Sequence, residues 1–121
     1  MTADDENPVV RWHAIRDWYA DYARNPPCEY VLPMVDLTEW VAEQSWAASL
    51  FPCTSHAALC VSLKPGYTPE SPFFSCLART DSTFEFELWA KVGQMVERRR
   101  FPVTEGQSAF WNFVQRLNGV A

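Results

Sequence analysis

The stretch TFEFELWAK, residues 83–91, decides the fold class of this chain. Large apolar residues alternate with acidic ones along it: Phe84, Phe86 and Leu88 against Glu85 and Glu87. Successive side chains of a β-strand point to opposite faces, so the pattern predicts a strand with one buried and one solvated face. Strands of this kind are typical of antiparallel sheets.

The next segment predicts the partner of this strand. MVERRRFPV, residues 95–103, returns after Val92-Gly93, which we interpret as a two-residue hairpin turn. That register sets opposite charges across from each other in two pairs: Glu85 with Arg100, and Glu87 with Arg98. The basic run is then a self-neutralised solvent face. The same register puts Arg99 beside Phe86, which would require a strand bulge or a role for the arginine in partner binding.

Two more strands precede this hairpin. AALCVSLK at residues 57–64 and FFSCLART at residues 73–80 alternate with period two and are joined by a proline-spaced loop. A turn centred on Thr68 would place Cys60 directly opposite Cys76, as adjacent reduced thiols that an oxidant can bridge. Four strands with short connections predict an antiparallel meander.

Helical patterns flank the strands. Residues 7–24 predict a helix capped by Asn7, with Pro8 in the first turn, where proline is tolerated. Residues 36–49 begin with a capping-box-like pattern and predict a second helix, and residues 104–119 predict a third. The intervening EYVLPMV contains a proline, so it is at best an edge strand.

These elements predict an α+β fold. Its sheet is a single layer of about four antiparallel strands, a meander over residues 57–103, with two N-terminal helices and one C-terminal helix packed on one face. Residues 1–121 are expected to form one domain, and residues 1–6 a disordered tail.

Composition and charge limit the classes of function. The 121 residues are 48% hydrophobic and carry a net charge of −5. Residues 1–60 hold nine acids and three arginines, a net −6, whereas residues 61–121 hold six acids and seven bases, a net +1. Phosphate contacts need a basic surface, so this balance predicts no nucleic-acid partner. It favours a basic protein partner, although a requirement for solubility alone accounts for the same net charge.

The sequence also bears on location. No run approaches the roughly 20 apolar residues that span a bilayer, and the acidic start MTADDENPVV lacks the features of a secretory signal. We therefore expect no membrane association and a cytoplasmic location, where the four cysteines would be reduced thiols.

FPCTSHAALC, residues 51–60, raises the question of a chemical site. It carries three residues of the types that bind zinc or act in thiol catalysis: Cys53, His56 and Cys60. Cys76 would complete four zinc ligands, but zinc modules usually have two closely spaced ligand pairs and only one occurs here. A Cys–His nucleophile needs an orienting third group that the sequence does not indicate. The stretch favours a turn and a buried strand, and we expect no metal, cofactor or catalytic residue.

Like-charged residues recur four positions apart on the predicted helices: Asp17 with Asp21, and Glu39 with Glu43. This spacing destabilises a helix by about 0.2–0.5 kcal/mol. The pairs are either incidental features of a solvated surface or an acidic face that docks arginine and lysine side chains of a partner. Trp18 and Trp46 lie near these faces, either as core residues or as the aromatic anchors of an interface.

The sequence therefore favours a small acidic binding module that neutralises or regulates a basic protein partner, of the immunity-protein or inhibitor type. The alternative is a small enzyme or ligand-binding domain with an aromatic pocket between sheet and helices. A third class, an oligomeric structural subunit, stays open because an edge strand or an exposed tryptophan could self-associate.

Overall fold

A computed structural model gives the fold and describes residues 7–66 and 68–120. The predicted disordered tail, residues 1–6, lies outside the described residues. Within the described ranges the chain forms these helices and strands: α1 (Pro8–Ala23), α2 (Leu32–Ala42), β1 (Phe51–Ser55), β2 (Ala58–Ser62), β3 (Phe73–Ala78), β4 (Thr83–Lys91), β5 (Gln94–Pro102) and α3 (Gly106–Val120). Short 3₁₀ turns occupy Cys28–Val31, Ser45–Ser49 and Val103–Glu105.

The strands form one antiparallel sheet in the order β1-β2-β3-β4-β5. The predicted α+β class and antiparallel meander are confirmed, but the sheet has five strands in the described chain and not four. The additional strand is β1, which pairs with β2 across a tight turn at His56 and Ala57. Pro52 is tolerated there because β1 is an edge strand.

The register between β4 and β5 is the predicted one, with Glu85 opposite Arg100 and Glu87 opposite Arg98. The two ion pairs have nitrogen–oxygen distances of 3.0 and 2.8 Å, respectively. The outward row of charges is therefore neutralised within the sheet.

Arg99 lies opposite Phe86, as predicted, and the irregularities of the strand pair fall elsewhere, between residues 88 and 91. Its guanidinium lies 5.0 Å from the ring centre of Phe101 and 3.8 Å from a carboxylate oxygen of Glu97. Contacts within its own edge strand thus hold Arg99, and the bulge that the sequence allowed does not occur at this position.

The register between β2 and β3 differs by one residue from the predicted one. Cys60 pairs with Ser75, and Cys76 pairs with Leu59. A one-residue slip moves every side chain to the other face of a sheet. Cys60 and Cys76 therefore lie on opposite faces, and the predicted adjacency of these two thiols is wrong.

The helices begin and end by recognisable local rules. The side chain of Asn7 accepts hydrogen bonds from the backbone of Val9 at 3.0 Å and Val10 at 3.3 Å, which confirms the predicted cap of α1. EYVLPMV forms a 3₁₀ turn and the start of α2 instead of an edge strand. Pro33 lies in the first turn of α2, where its missing N–H costs nothing.

The remaining helix boundaries also depart from the predicted ones. α2 ends at Ala42, and a 3₁₀ turn replaces the last part of the predicted second helix. α3 starts at Gly106, two residues later than predicted, and continues to Val120 through the predicted stop signal.

The core lies between the helices and one face of the sheet, which we call the inner face. Its central strands contribute buried alternate residues: Leu59, Val61, Phe74, Cys76, Phe84, Phe86 and Leu88. From α3, Phe110 packs 5.1 Å from Phe74 and Phe113 packs 5.0 Å from Phe86, measured between ring centres. We call the opposite face of the sheet the outer face. It carries Cys53, Cys60, Phe73, Ser75, Leu77, Glu85, Glu87 and Trp89.

Each helix in the described ranges is too short or too polar to cross a membrane.

Candidate functional site

The predicted acidic residues lie on α1, on α2 and, for Glu43, directly after α2, and the two helices pack side by side. Arg16 of α1 joins them, with a guanidinium nitrogen 2.8 Å from a carboxylate oxygen of Asp17 and another 3.9 Å from one of Glu39. The side chains of Asp17 and Glu39 remain 66% and 52% exposed. One arginine thus connects carboxylates from two helices into a continuous surface.

The charge of this surface is smaller than the sequence totals indicate. Three of the nine acids in residues 1–60 occupy positions 4–6, outside the described residues. Residues 7–50 hold six acids and three arginines, a net −3. Asp21 lies 3.6 Å from Arg24, and Glu43 is exposed at the end of α2. The surface remains acidic, but its own arginines neutralise part of it.

Three tryptophans from different elements converge between α2 and α3. Trp46 lies 5.6 Å from Trp40 and 5.0 Å from Trp111 between ring centres, and it stacks on Phe110 at 6.1 Å. An open depression of about 400 Å³ is lined by these tryptophans and by polar side chains: Trp40, Trp46, Trp111, Gln44, Gln107 and Ser108. We call it the tryptophan depression.

Two exposed carboxylates lie close in sequence to Trp40 of the tryptophan depression: Glu39 directly before it and Glu43 three residues after it, at the C-cap of α2. Side chains three positions apart are neighbours on a helix surface, so we expect Glu43 to lie near Trp40. An aromatic surface attracts a cation over its ring faces, and adjacent carboxylates add charge attraction. The arrangement suits a lysine, arginine or quaternary ammonium group.

The two predicted anchor tryptophans belong to different ring clusters. Trp18 is 37% exposed and stacks on Tyr22 at 5.2 Å. It lies two residues from Arg16, about 200° around the helix, so these two side chains point to different sides of α1. Trp46 is half-buried, and it forms a site only together with Trp40 and Trp111. Trp40 and Trp111 could not be chosen from the sequence, because no periodic pattern joins residues of three separate elements.

A second depression, of about 330 Å³, lies where the start of α2 meets the start of α3. Its lining includes Leu32, Leu37 and Val103, and its aromatic member is Phe84. The alternative prediction named a pocket between helices and sheet, and this depression lies there; apart from Phe84 its lining is aliphatic and polar. The tryptophan depression lies between helices.

The stretch FPCTSHAALC is a β-hairpin. His56 occupies its turn with φ of 56°, a left-handed conformation that glycine usually adopts. Cys53 lies opposite Cys60 on the outer face, whereas Cys76 is buried on the inner face beside Met34. The four residues weighed as zinc ligands are therefore divided between two faces. The sequence contained the signal for this pairing, because a two-residue turn at His56 sets residue 53 against residue 60.

In residues 7–66 and 68–120, no three histidine, cysteine or carboxylate side chains converge as a metal site requires. Comparison of the chain with protein-family models, with curated proteins and with solved structures gave no match.

Proposed function

We propose that this chain is a small cytoplasmic protein-binding module that neutralises or regulates a partner with a basic surface, as an immunity protein or inhibitor does. One observation carries the proposal: three tryptophans converge in an open depression, and the exposed Glu43 follows one of them, Trp40, by about one helical turn. Partly exposed tryptophans near several carboxylates contribute little to folding stability, but they suit the recognition of a cationic side chain.

The two parts of this surface have different physical roles. Aromatic residues in a desolvated pocket carry most of the affinity of an interface, and their neighbours exclude water. Charges at the rim mainly steer the partner and speed association. We therefore assign anchoring to Trp40, Trp46 and Trp111. Steering falls to the acidic residues predicted from sequence: Asp17, Asp21, Glu39 and Glu43. Trp18 stays a predicted anchor on the far side of α1.

The partner is first isolated by pull-down from native lysate, and its association rate is then measured by stopped flow. Glu39→Lys with Glu43→Lys should slow association and leave the melting temperature nearly unchanged. Raising salt from 0.1 to 1 M should slow the wild type, because the Debye length falls from about 10 Å to about 3 Å. Trp111→Ala should instead speed dissociation, because it removes an anchor from the depression.

A matched control carries the same change in charge at another place. Glu70→Lys with Asp81→Lys alters two exposed acids outside the helices, so it should slow association much less. If both double variants slowed association equally, the net charge of the chain would explain the effect and the position of the carboxylates would not. An association rate without salt dependence would contradict the proposal.

A further inference from the structure

A row of side chains crosses the outer face from edge to edge. Cross-strand pairing sets five residues side by side: Cys53, Cys60, Ser75, Glu87 and Arg98. Glu87 and Arg98 form an ion pair at 2.8 Å and close one end of the row. The other end is a pair of thiols on the edge strand and its neighbour, on the face of the sheet opposite to the core.

The two thiols differ in environment. Cys53 is exposed and Cys60 half-buried. The Cys60 thiol lies across the strand pair from the Cys53 sulfur, and its role as a hydrogen-bond donor is the cause that lowers the pKa of Cys53 to about 7, although burial acts in the opposite direction. The same interaction, burial and the negative charges of Cys53 and Glu87 raise the pKa of Cys60. Cys53 is thus the more easily ionised thiol of the pair.

Other titratable groups also surround the pair. His56 lies in the turn three residues after Cys53 and lines the same depression, as does Glu87 from β4. Tyr19 of α1 reaches the hairpin from the inner side, where its hydroxyl donates to the carbonyl of Ala57 at 3.0 Å. Burial raises the pKa of Tyr19, so its hydroxyl stays neutral beside the thiols.

The thiols open into a depression of about 700 Å³ on the outer face. One wall is aromatic, because Phe73 and Trp89 stack with ring centres 5.9 Å apart and planes within 5°. The polar side chains of the lining include Thr54, Ser75 and His56. Small-molecule sites have this volume, a mainly apolar lining and a few polar groups.

We propose that Cys53 and Cys60 form a thiol–disulfide exchange site that reduces a small-molecule disulfide held in this depression. The Cys53 thiolate attacks one sulfur of the substrate, a Cys53–substrate disulfide forms, and the first half leaves as a thiolate that takes a proton from water. Cys60 then loses its proton and attacks the Cys53 sulfur. The second half leaves as a thiolate and is protonated in turn. The chain loses two electrons and two protons, and the substrate disulfide gains both as two thiols.

The geometry favours this sequence of steps. Residues opposite each other in antiparallel strands have β-carbons about 4.5–5.5 Å apart, and disulfides need about 3.5–4.5 Å, so a small approach of β1 to β2 closes the bond. β1 is an edge strand with one strand neighbour, which permits such a movement. A thiol with a pKa near the ambient pH is also the fastest attacking group in exchange.

The test uses the full reduced chain with glutathione disulfide at pH 7, acid quenching and mass mapping of every cysteine. Wild-type protein should accumulate the Cys53–Cys60 disulfide with little lasting glutathione adduct. Cys60→Ser lacks the second thiol and should retain glutathione on Cys53. Cys28→Ser, away from the outer face, should behave as the wild type. Equal modification of Cys28 and Cys53, or a stable adduct on Cys53 in the wild type, would overturn the proposal.

Alkylation by iodoacetamide separates reactivity from folding. The pH midpoint for Cys53 should lie near 7 in the wild type and stay low in Cys60→Ser, whose hydroxyl still donates a hydrogen bond. In Cys60→Ala it should rise toward the value of an ordinary thiol, about 8.5. Identical midpoints in the serine and alanine variants would contradict the assigned hydrogen bond. Because the site lies on the outer face, these results are independent of partner binding through α1 and α2.

Discussion

Replacement of Gly106 by alanine tests how α3 meets the sheet. Gly106 is buried and has φ of −59°, a conformation that any residue adopts, so backbone strain plays no part. A β-carbon there would lie 2.8 Å from Cδ2 of Phe84 and closer still to Cε2. Carbon atoms in ordinary contact are about 3.5–4.0 Å apart. The ring or the helix must therefore move.

The size of the effect follows from two opposing contributions. Overpacking of a core costs about 1–3 kcal/mol. The loss of glycine's freedom in the unfolded chain returns about 0.4–1 kcal/mol. Phe84 is 2% exposed and packs against Phe86, although the 330 Å³ depression beside it gives the ring some room. We expect Gly106→Ala to lower the free energy of unfolding by about 1–2 kcal/mol.

Urea unfolding followed by tryptophan fluorescence and circular dichroism measures this difference. Gly119→Ala is a matched control in the same helix, because a β-carbon there meets no atom within 4 Å. It should leave stability unchanged or raise it by up to about 0.5 kcal/mol, since alanine favours helix. If Gly106→Ala were as stable as the wild type while the control behaved as expected, the assigned packing of α3 on Phe84 would be wrong.

Two further predictions concern stability. Glu85→Gln should lower the free energy of unfolding by about 1–2 kcal/mol in urea at low salt, because this carboxylate contacts Arg79, Arg98 and Arg100 at 3.4, 3.9 and 3.0 Å. Glu87→Gln removes the ion pair with Arg98 and should lower it less. Equal losses in the two variants would contradict the network. Burial raises the pKa of Tyr19 above its usual value of about 10. Above pH 10 the tyrosine therefore ionises in the unfolded chain and stays neutral in the folded one. The contribution of Tyr19 to stability is fully present below pH 10 and is lost as the pH rises beyond it. Tyr19→Phe also loses the bond to Ala57 and should be about 1 kcal/mol less stable at pH 7, with the deficit vanishing near pH 11; a constant deficit in unfolding titrations would refute this.

The sequence predicted best where periodicity and charge agreed. Residues 83–91 form β4 with the predicted bounds, because alternation of phenylalanine and glutamate leaves one arrangement that buries the rings. The register to β5 followed, since a two-residue turn fixes it. In contrast, a long loop joins β2 to β3, so no turn set their register. Phe73 is buried on the outer face and Phe74 on the inner face. Hydrophobicity therefore did not distinguish the predicted register of β2 and β3 from the observed one.

Other features were hidden by ambiguous local signals. Pro33 indicates an interrupted strand in the sequence pattern, although the first turn of a helix tolerates proline equally well. β1 lacks glycine or asparagine in its turn, where His56 takes the left-handed conformation instead. The tryptophan depression depends on how α2 and α3 pack, and the thiol pair depends on β1 being a strand. The first therefore could not be placed from the sequence, whereas the second needed only the turn at His56 to be recognised.

The central claim is that the tryptophan depression and the carboxylates of α2 form one cation-binding surface. The most direct measurement is an NMR titration with an arginine-rich peptide at 0.05 and 0.5 M salt, following the six indole N–H signals. The indoles of Trp40, Trp46 and Trp111 should shift at low salt, and Glu39→Lys with Glu43→Lys should weaken the shift. Shifts confined to Trp89 on the outer face, or no shift at either salt, would contradict the account.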